Sequence, residues 1–243
     1  MLEINQIANY FAPLPTNQPS YIDLHIHTKA SDGFIDLEFL TNFLADKPHL
    51  IAITDHNEIK SSVELHQNSE INIIPGIEVG CKDGFEFLIY FHRLTDLQDF
   101  YQQKVKPYKN DYEIARTEKD YTHYLEAVKN YDCFLSIPHV SGMAHKNYLK
   151  KKPYINQVLQ KVDGIETYNH SLTKKRNRTA QKVRKLNDKF ATIGSDAHLK
   201  QAIRSFYKLQ NSKFSRFAYW KNNVYNILSV IALFGKHLYT LID

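Results

Sequence analysis

Two histidines near the start of the chain, His25 and His27, are the first residues whose spacing suggests chemistry. They lie in the stretch YIDLHIHTKASDG, residues 21–33. Side chains alternate between the two faces of a strand, so both imidazoles are expected to point the same way. Two imidazoles on one face can bind one metal ion, and Asp23, which shares their parity, could orient a ring. On this stretch alone, a strand with two solvent-facing histidines explains the pattern equally well.

Metal-type side chains recur at the ends of later short apolar runs. They are Asp55 and His56 after LIAI, Glu78 after INIIPGI, His139 after CFLSIP, and Asp196 and His198 after FATIGS. Such a coincidence is hard to produce by chance. Glu86 and His92, in and after the apolar run 85–91, are weaker candidates. A glutamate in such a strand is costly to bury without a partner, which indicates either an exposed face or a nearby cation.

Short apolar runs and helical periodicity alternate about seven times along the chain. Strands are predicted at 50–54, 71–77, 85–91, 134–137, 164–168 and 190–193, in addition to the first. Helices are predicted at 37–44, capped by Asp36, and at 59–67, 172–186, 201–217 and 219–241. Residues 147–161 are predicted to form a basic helix or a loop, with a break at Pro153. Residues 95–130 are predicted to form two helices and a loop that could arch over the site. Gly194 is expected to allow a tight turn.

This alternation predicts an α/β fold with parallel strands. Ligands at the C-terminal ends of strands are typical of a barrel active site. An open doubly wound sheet would also place a site at strand ends, but it would draw on fewer strands. Five contributing runs therefore favour a closed barrel.

Composition is that of an ordinary globular protein of 243 residues with a net charge of +5. The charge is uneven, because residues 145–189 hold thirteen Lys or Arg against three Asp or Glu. Such a region attracts phosphate-rich partners, although a solvated helix surface explains it equally well. Cys81 and Cys133 are too few for a disulfide scaffold, and no signal segment opens the chain, so we expect a cytoplasmic setting. The longest apolar stretch, residues 227–234, is too short to cross a bilayer and is expected to form a buried helix.

Together, the motifs HIH, SDG, TDH, PGIE, PHV and GSDAH resemble those of the polymerase and histidinol phosphatase superfamily, the PHP domain. The resemblance implies a single-domain, distorted (β/α)7 TIM-like barrel over residues 21–204. It also implies hydrolysis of phosphoesters by water activated by two or three divalent ions, namely Mn, Zn or Fe. Some members are inactive domains of replicative polymerases. Residues 1–20 would then be a lead-in without chemistry, and residues 205–243 would be helices packed on the barrel.

The resemblance also assigns roles to individual residues. One ion would be held by His25, His27, Glu78 and Asp196, and Glu78 would bridge to a second ion bound by His139; these five form the implied catalytic set. A third ion would be held by Asp32, His56 and His198. Where the family commonly has a histidine in a VHLLGYF-like strand, this chain has FEFLIYF. The second site would then use Glu86, use His92, or be weak. Asn57 stands where many relatives have aspartate.

The sequence therefore favours a metal-dependent phosphoesterase that acts on a phosphomonoester, a nucleotide or a short nucleic acid. Basic residues around the helix at 172–186 would hold the phosphate, because helix starts with basic side chains favour anions. The candidates are His170, Lys174, Arg176, Arg178 and Arg204. A histidinol-phosphate-like phosphatase of small metabolites, a non-catalytic metal-bearing binding module and a metal-dependent amidohydrolase remain as alternatives. The oligomeric state is left open.

Overall fold

The structure is a computed structural model. It describes residues 11, 20–68, 70–110, 113–211, 222, 224, 225, 227 and 228. Within these residues, no helix combines the length and the apolar character that crossing a bilayer would need. Both cysteines are free thiols.

Seven strands form two sheets. Strands β1 (Tyr21–Ile26) and β2 (His49–Ile53) pair in parallel. The second sheet has the order β3 (Gly76–Gly80), β4 (Glu86–Phe91), β5 (Cys133–Ile137), β6 (Gly164–Asn169) and β7 (Phe190–Gly194). The protein is thus a mixed α/β fold, as predicted.

Single bridges connect the two sheets at both of their edges. Ile51 bridges to Ile73 and His56 to Glu78 on one side, and Ile26 bridges to Ala197 on the other. The strands therefore follow one another in chain order around the molecule. A continuous ladder of hydrogen bonds does not close the described strands into the expected barrel.

The expectation of parallel strands throughout is wrong at β4. This strand is antiparallel to both β3 and β5. The link from β3 to β4 contains no helix and turns at Gly84, whose φ is +80°. A parallel pair needs a crossover of a dozen or more residues, and so short a link permits only a hairpin.

Eight α-helices have described bounds. They are α1 (Leu37–Leu44), α2 (Lys60–His66), α3 (Leu94–Phe100), α4 (Tyr121–Ala127), α5 (Tyr148–Lys151), α6 (Ile155–Lys161), α7 (Lys174–Leu186) and α8 (Lys200–Asn211). The side chain of Asp36 caps α1 by accepting from the backbone N of Phe39 at 2.9 Å. The predicted break at Pro153 separates α5 from α6. The α-helix α3 continues as a π-helical turn, Tyr101–Val105.

The side chains of β4 alternate between two sides of the strand, which explains how a glutamate fits this apolar strand. Phe87 and Ile89 pack in the core cluster that contains helices α3, α4 and α6, whereas Leu88 and Tyr90 belong to the cluster that contains β1 and β2. The Tyr90 hydroxyl donates to the backbone O of Leu24 in β1 at 2.8 Å. Glu86 has the parity of Leu88 and Tyr90, so it faces the interior.

Some predicted bounds differ from the structure. The strand expected at 71–77 begins only at Gly76, after Pro75, although Ile73 keeps its bridge to β2. The helix expected at 201–217 is described as α8 up to Asn211, and the remainder lies outside the described residues. Apart from residues 11 and 20, the lead-in at 1–20 also lies outside them. Of the apolar stretch 227–234 only two residues are described, and both are helical with exposed side chains.

Candidate metal centre

The predicted ligands converge on the carboxylate of Glu78, which is fully buried in β3. Its Oε2 atom lies 3.3 Å from Nε2 of His25, 3.2 Å from Nε2 of His27 and 3.2 Å from Nδ1 of His56. Its Oε1 atom lies 3.2 Å from Nε2 of His139. Four imidazoles from three different segments therefore surround one carboxylate.

His25 in β1 and His27 directly after it point the same way, as the alternation predicts. Their Nε2 atoms are 3.1 Å apart. Oδ1 of Asp196 lies 3.6 Å from Nε2 of His25 and 3.4 Å from Nε2 of His27. These three side chains offer ligand atoms close enough together to hold a metal ion.

A second group of possible metal ligands lies on the other side of His27. Oδ2 of Asp32 is 3.8 Å from Nε2 of His56 and 3.3 Å from Nε2 of His198. The His27 ring lies against both imidazoles, with centroid distances of 4.5 Å to His56 and 4.3 Å to His198. Together with His27, these residues form the largest group that could hold a metal ion. The sequence resemblance had placed three of these four around one ion.

Glu86 marks the third region of the centre, and it meets residues that the sequence did not indicate. The fully buried carboxylate lies 3.1 Å from Nε2 of His139 through Oε2, and it forms a further possible metal group with His56 and Glu78. Arg116 and Lys146 form ion pairs with it at 2.5 and 3.2 Å. The Tyr148 hydroxyl donates to it at 3.2 Å.

His92 lies away from the centre. Its Nε2 is 3.8 Å from Asp132, and its ring packs 5.0 Å from that of Phe11. Because β4 is antiparallel to its neighbours, its first residue, Glu86, faces the centre. His92 follows the other end, roughly 20 Å further along at about 3.3 Å per residue.

Buried polar residues behind the ligands hold them in place. Nδ1 of His25 lies 2.9 Å from Oε1 of Glu166, and since a carboxylate only accepts, Nδ1 must carry the hydrogen. The other Glu166 oxygen accepts from the backbone N of His139 and from Asn169. Asn169 and Ser171 also donate to Asp196, both at 3.1 Å.

The other two aspartates of the motifs have structural roles. Asp23, which the parity suggested as a partner of a ring, accepts instead from the Tyr21 hydroxyl and from the backbone N of Ser195. Asp55 accepts three hydrogen bonds of 2.6 Å, two from Thr28 and one from Ser31. It thereby fixes the turn that carries Asp32.

The backbone is strained at the centre. Asn57, His139 and Asp196 have φ values of 51°, 31° and 53°, in the left-handed region that non-glycine residues rarely adopt. Such conformations cluster at functional sites, where the surrounding contacts hold them. For Asn57 these contacts are visible, because its side chain donates to the backbone O of Ile114 and accepts from the backbone N of Gly80.

The electrostatics of the centre fit a cation. Burial alone would lower the pKa of His25, but the carboxylates of Glu78, Asp196 and Glu166 raise it well above its usual value. Contacts with Asp196 and Glu78 likewise raise the pKa of His27 to about 10 in spite of burial. Protons on imidazoles thus compensate buried carboxylates here, and a metal ion would replace them.

Unsatisfied ring atoms lead to the same conclusion. Nδ1 of His27 and of His139 is buried without a hydrogen-bond partner. Burial also lowers the pKa of His56 to about 4, so its imidazole is neutral and able to bind a metal. The donor set of imidazoles and carboxylates suits Mn, Zn or Fe.

The predicted phosphate-binding residues are not gathered in one place. Lys174 and Arg178 lie exposed on the first two turns of α7. Arg176 donates to the backbone O atoms of Ser141 and Gly142, in the loop after His139. His170 is buried, and its Nε2 lies 3.0 Å from the Ser205 hydroxyl. Arg204 is exposed on α8, 5.0 Å from the centre of the Phe39 ring.

Comparisons with known proteins agree with this geometry. The family model of the PHP domain matches residues 23–233. Among curated proteins, none matches this sequence.

Three similar solved structures share the fold. One is a protein from Bifidobacterium adolescentis, provisionally classed as a metal-dependent phosphoesterase, with a TM-score of 0.57, 14% identity, and coverage of 81% of this chain and 99% of that chain. The second is the lesion-specific endonuclease Q of Pyrococcus furiosus, with a TM-score of 0.57, 17% identity, and coverage of 73% of this chain and 48% of that longer chain. The third is an amidohydrolase from Chromobacterium violaceum, with a TM-score of 0.53, 13% identity, and coverage of 73% of this chain and 87% of that chain. At these identities the likeness extends to the fold alone.

Proposed function

This chain belongs to the PHP domain family, and on that premise we propose that it is a metal-dependent phosphoesterase acting on a phosphomonoester, a nucleotide or a short nucleic acid. The observation that carries the proposal is the position of Glu78 within 3.3 Å of His25, His27, His56 and His139. A buried carboxylate surrounded by imidazoles suits a ligand that bridges two cations. Family membership also supports a distorted seven-stranded barrel, with the bridges of Ile73 and Ala197 at its two seams.

The ligands divide between ions in the following way. His25, His27, Glu78 and Asp196 would hold one ion, Asp32, His56 and His198 would hold another, and Glu78 and His139 would face a third position. Divalent ions bound there would lower the pKa of a water molecule and neutralise charge on phosphate oxygens. Glu166 fixes the tautomer of His25, so that its unprotonated Nε2 would be available to an ion. Asn169 and Ser171 orient Asp196 by donating to its Oδ2.

The surface beside the centre supports a substrate rich in phosphate. Helix α7 begins shortly after Ser171, and its sequence KKRNRTAQKVRKL contains no acidic residue. Lys174 and Arg178 are exposed there and could contact a phosphate backbone. The related endonuclease Q is a lesion-specific endonuclease. A nucleotide or short nucleic acid is therefore favoured over a small metabolite.

A substrate screen tests the proposal. The manganese-loaded protein is incubated with mononucleotides, sugar phosphates, histidinol phosphate, an N-acyl amide and short oligonucleotides, and released phosphate and fragment length are both measured. Phosphate from mononucleotides alone would identify a phosphatase, and shortened oligonucleotides a nuclease. Cleavage of the amide alone would refute the proposal. A screen in which none of the phosphate esters is hydrolysed would also refute it.

A charge variant separates nucleic acid from small substrates. In Lys174→Ser/Arg178→Ser, hydrolysis of an oligonucleotide should fall more than that of an aryl phosphate, because only the longer substrate reaches α7. The matched control is Lys60→Ser/Lys106→Ser, which removes two exposed charges from other segments. Equal losses on both substrates in the α7 variant would exclude this surface from nucleic-acid binding.

A further inference from the structure

The carboxylate of Glu86 is already occupied by groups of the protein. Its Oε1 accepts from Arg116 at 2.5 Å. Its Oε2 lies 3.2 Å from Nζ of Lys146, 3.1 Å from Nε2 of His139 and 3.2 Å from the Tyr148 hydroxyl. A carboxylate oxygen offers about two lone-pair directions. Three groups therefore compete for Oε2 before any ion binds there.

Fixed positive charge is confined to this end of the centre. Within the described part of the chain, the ion pairs of Asp32, Glu78 and Asp196 are formed with histidines alone. Only Glu86 pairs with both an arginine and a lysine. Histidines can release their protons to a metal ion near neutral pH, whereas Lys and Arg ordinarily remain charged. The carboxylate of Glu86 is therefore already neutralised by fixed positive charge. The other carboxylates depend on histidine protons or on a metal ion for their positive charge.

From this asymmetry we propose that the ammonium group of Lys146 replaces one metal ion, so that the chain binds no ion on Glu86. It binds two ions at the histidine-rich end of the centre, which is formed by His25, His27, His56 and His198 with their carboxylates. The inference rests on the proposed function and specifies its number of ions. A carboxylate ligand lies about 2.0–2.2 Å from a metal ion. An ion on Oε2 would therefore lie within roughly 5.5 Å of Nζ, where two like charges repel strongly at the low dielectric of a buried site.

The loop that carries Lys146 is built to hold the ammonium group there. Arg176 donates to the backbone O of Ser141 at 2.7 Å and also to that of Gly142. The backbone N of Lys146 donates to Met143 O at 2.9 Å. The side chain of Lys146 is 31% exposed, so it reaches Glu86 from the solvent side of the centre. Arg176, which the sequence suggested for phosphate, thus acts in the structure as a support for this loop.

Metal content tests the inference without reference to activity. The wild type is saturated with Mn²⁺, freed of excess ion, and its Mn is measured per chain by mass spectrometry. We expect two ions in the wild type and in Lys146→Arg, which keeps the charge, and three in Lys146→Met. Lys150→Met is the matched control, since Lys150 is exposed on the neighbouring helix α5, and it should hold two.

A titration gives a second measure that does not depend on folding of the methionine variant. In the wild type, a third Mn²⁺ should bind at least on the order of 100-fold more weakly than the first two, because the ammonium group opposes it. Three tight ions in the wild type, or two in Lys146→Met, would overturn the inference and leave the proposed function standing. A wild type that binds no ion would overturn both.

Discussion

Nδ1 of His25 and Oε1 of Glu166 lie 2.9 Å apart, and both side chains are fully buried. Mutation of a residue that hydrogen-bonds to a metal-binding histidine commonly lowers metal affinity by about 10–100-fold. We therefore expect Glu166→Gln to weaken Mn²⁺ binding by about that factor, because the amide can present a donor where His25 needs an acceptor. Calorimetric titration measures the change. The exposed control Glu126→Gln should bind as the wild type does, and an unchanged affinity in Glu166→Gln would remove Glu166 from the site.

His25 and His27 belong to the group that could hold an ion with Asp196. Changing both to alanine should abolish metal-dependent hydrolysis of an aryl phosphate, because the ion would lose two of its ligands. Circular dichroism should show an intact fold. His66→Ala removes an exposed imidazole at the end of α2 and should retain full activity. Undiminished hydrolysis in the double variant would contradict the assignment.

Glu86 and His92 should respond differently to substitution. His92→Ala should leave metal content unchanged, because His92 follows the end of β4 remote from the centre. Glu86→Ala leaves Arg116 and Lys146 without their carboxylate, and breaking a buried pair costs about 3–5 kcal/mol. Because the Lys146 side chain is partly exposed, we expect the free energy of unfolding to fall by about 3 kcal/mol, the lower end of this range. Urea denaturation checks it. Equal stability of the two variants would mean that Glu86 is not anchored as described.

Gly194 permits the close approach of β7 to β1. Its φ is not positive, so the expected tight turn does not explain the residue. A Cβ atom there would instead overlap the Cβ of His25 and lie 2.9 Å from Oε1 of Glu166. Gly194→Ala should lower the free energy of unfolding by about 1–3 kcal/mol, as overpacking does, and weaken metal binding.

Gly76→Ala is the milder control for this change. Its nearest contact would be 3.2 Å, to a methyl group of Thr54. Urea denaturation and Mn²⁺ titration of the two variants distinguish local crowding from a general effect of losing a glycine. A normal metal affinity in a destabilised Gly194→Ala would show that the approach matters for packing alone.

His170 should make stability depend on pH. Burial lowers the pKa of its imidazole from 6.5 to about 4. Between these values the unfolded chain binds the proton and the folded chain does not, so the free energy of unfolding falls as the pH drops from about 6.5 to 4. The shift corresponds to about 3 kcal/mol in total. His170→Gln should reduce this slope in urea denaturation across that range, and His66→Gln should not; a slope equal to that of the wild type would contradict the prediction.

Strand alternation and short motifs were enough to locate most of the centre. HIH, SDG, TDH and GSDAH each supply a candidate ligand in a strand or in the segment after it, and the structure brings these residues together. Arg116, Lys146 and Tyr148 could not be found in this way, because each is a single residue in a loop or short helix without a motif. Glu166 did carry a signal. Like Glu86, it is a glutamate in a buried strand, and the cost of burying it requires a partner.

The direction of β4 was also readable in principle. The short link from β3, with Gly84 at its turn, excludes a crossover connection. The length of this link therefore predicts Glu86 at the centre and His92 away from it. Closure of the sheets depends instead on single bridges, such as that between Ile26 and Ala197, which no local pattern specifies.

The bridge between Ile26 and Ala197 also has a consequence for the order of events during synthesis. The first ligands emerge from the ribosome with β1, but Asp196 and His198 follow about 170 residues later, and domains acquire their structure as units. A nascent chain that ends before β7 lacks part of every histidine-rich ligand group. Both histidine-rich ligand groups are therefore complete only after this region has been translated.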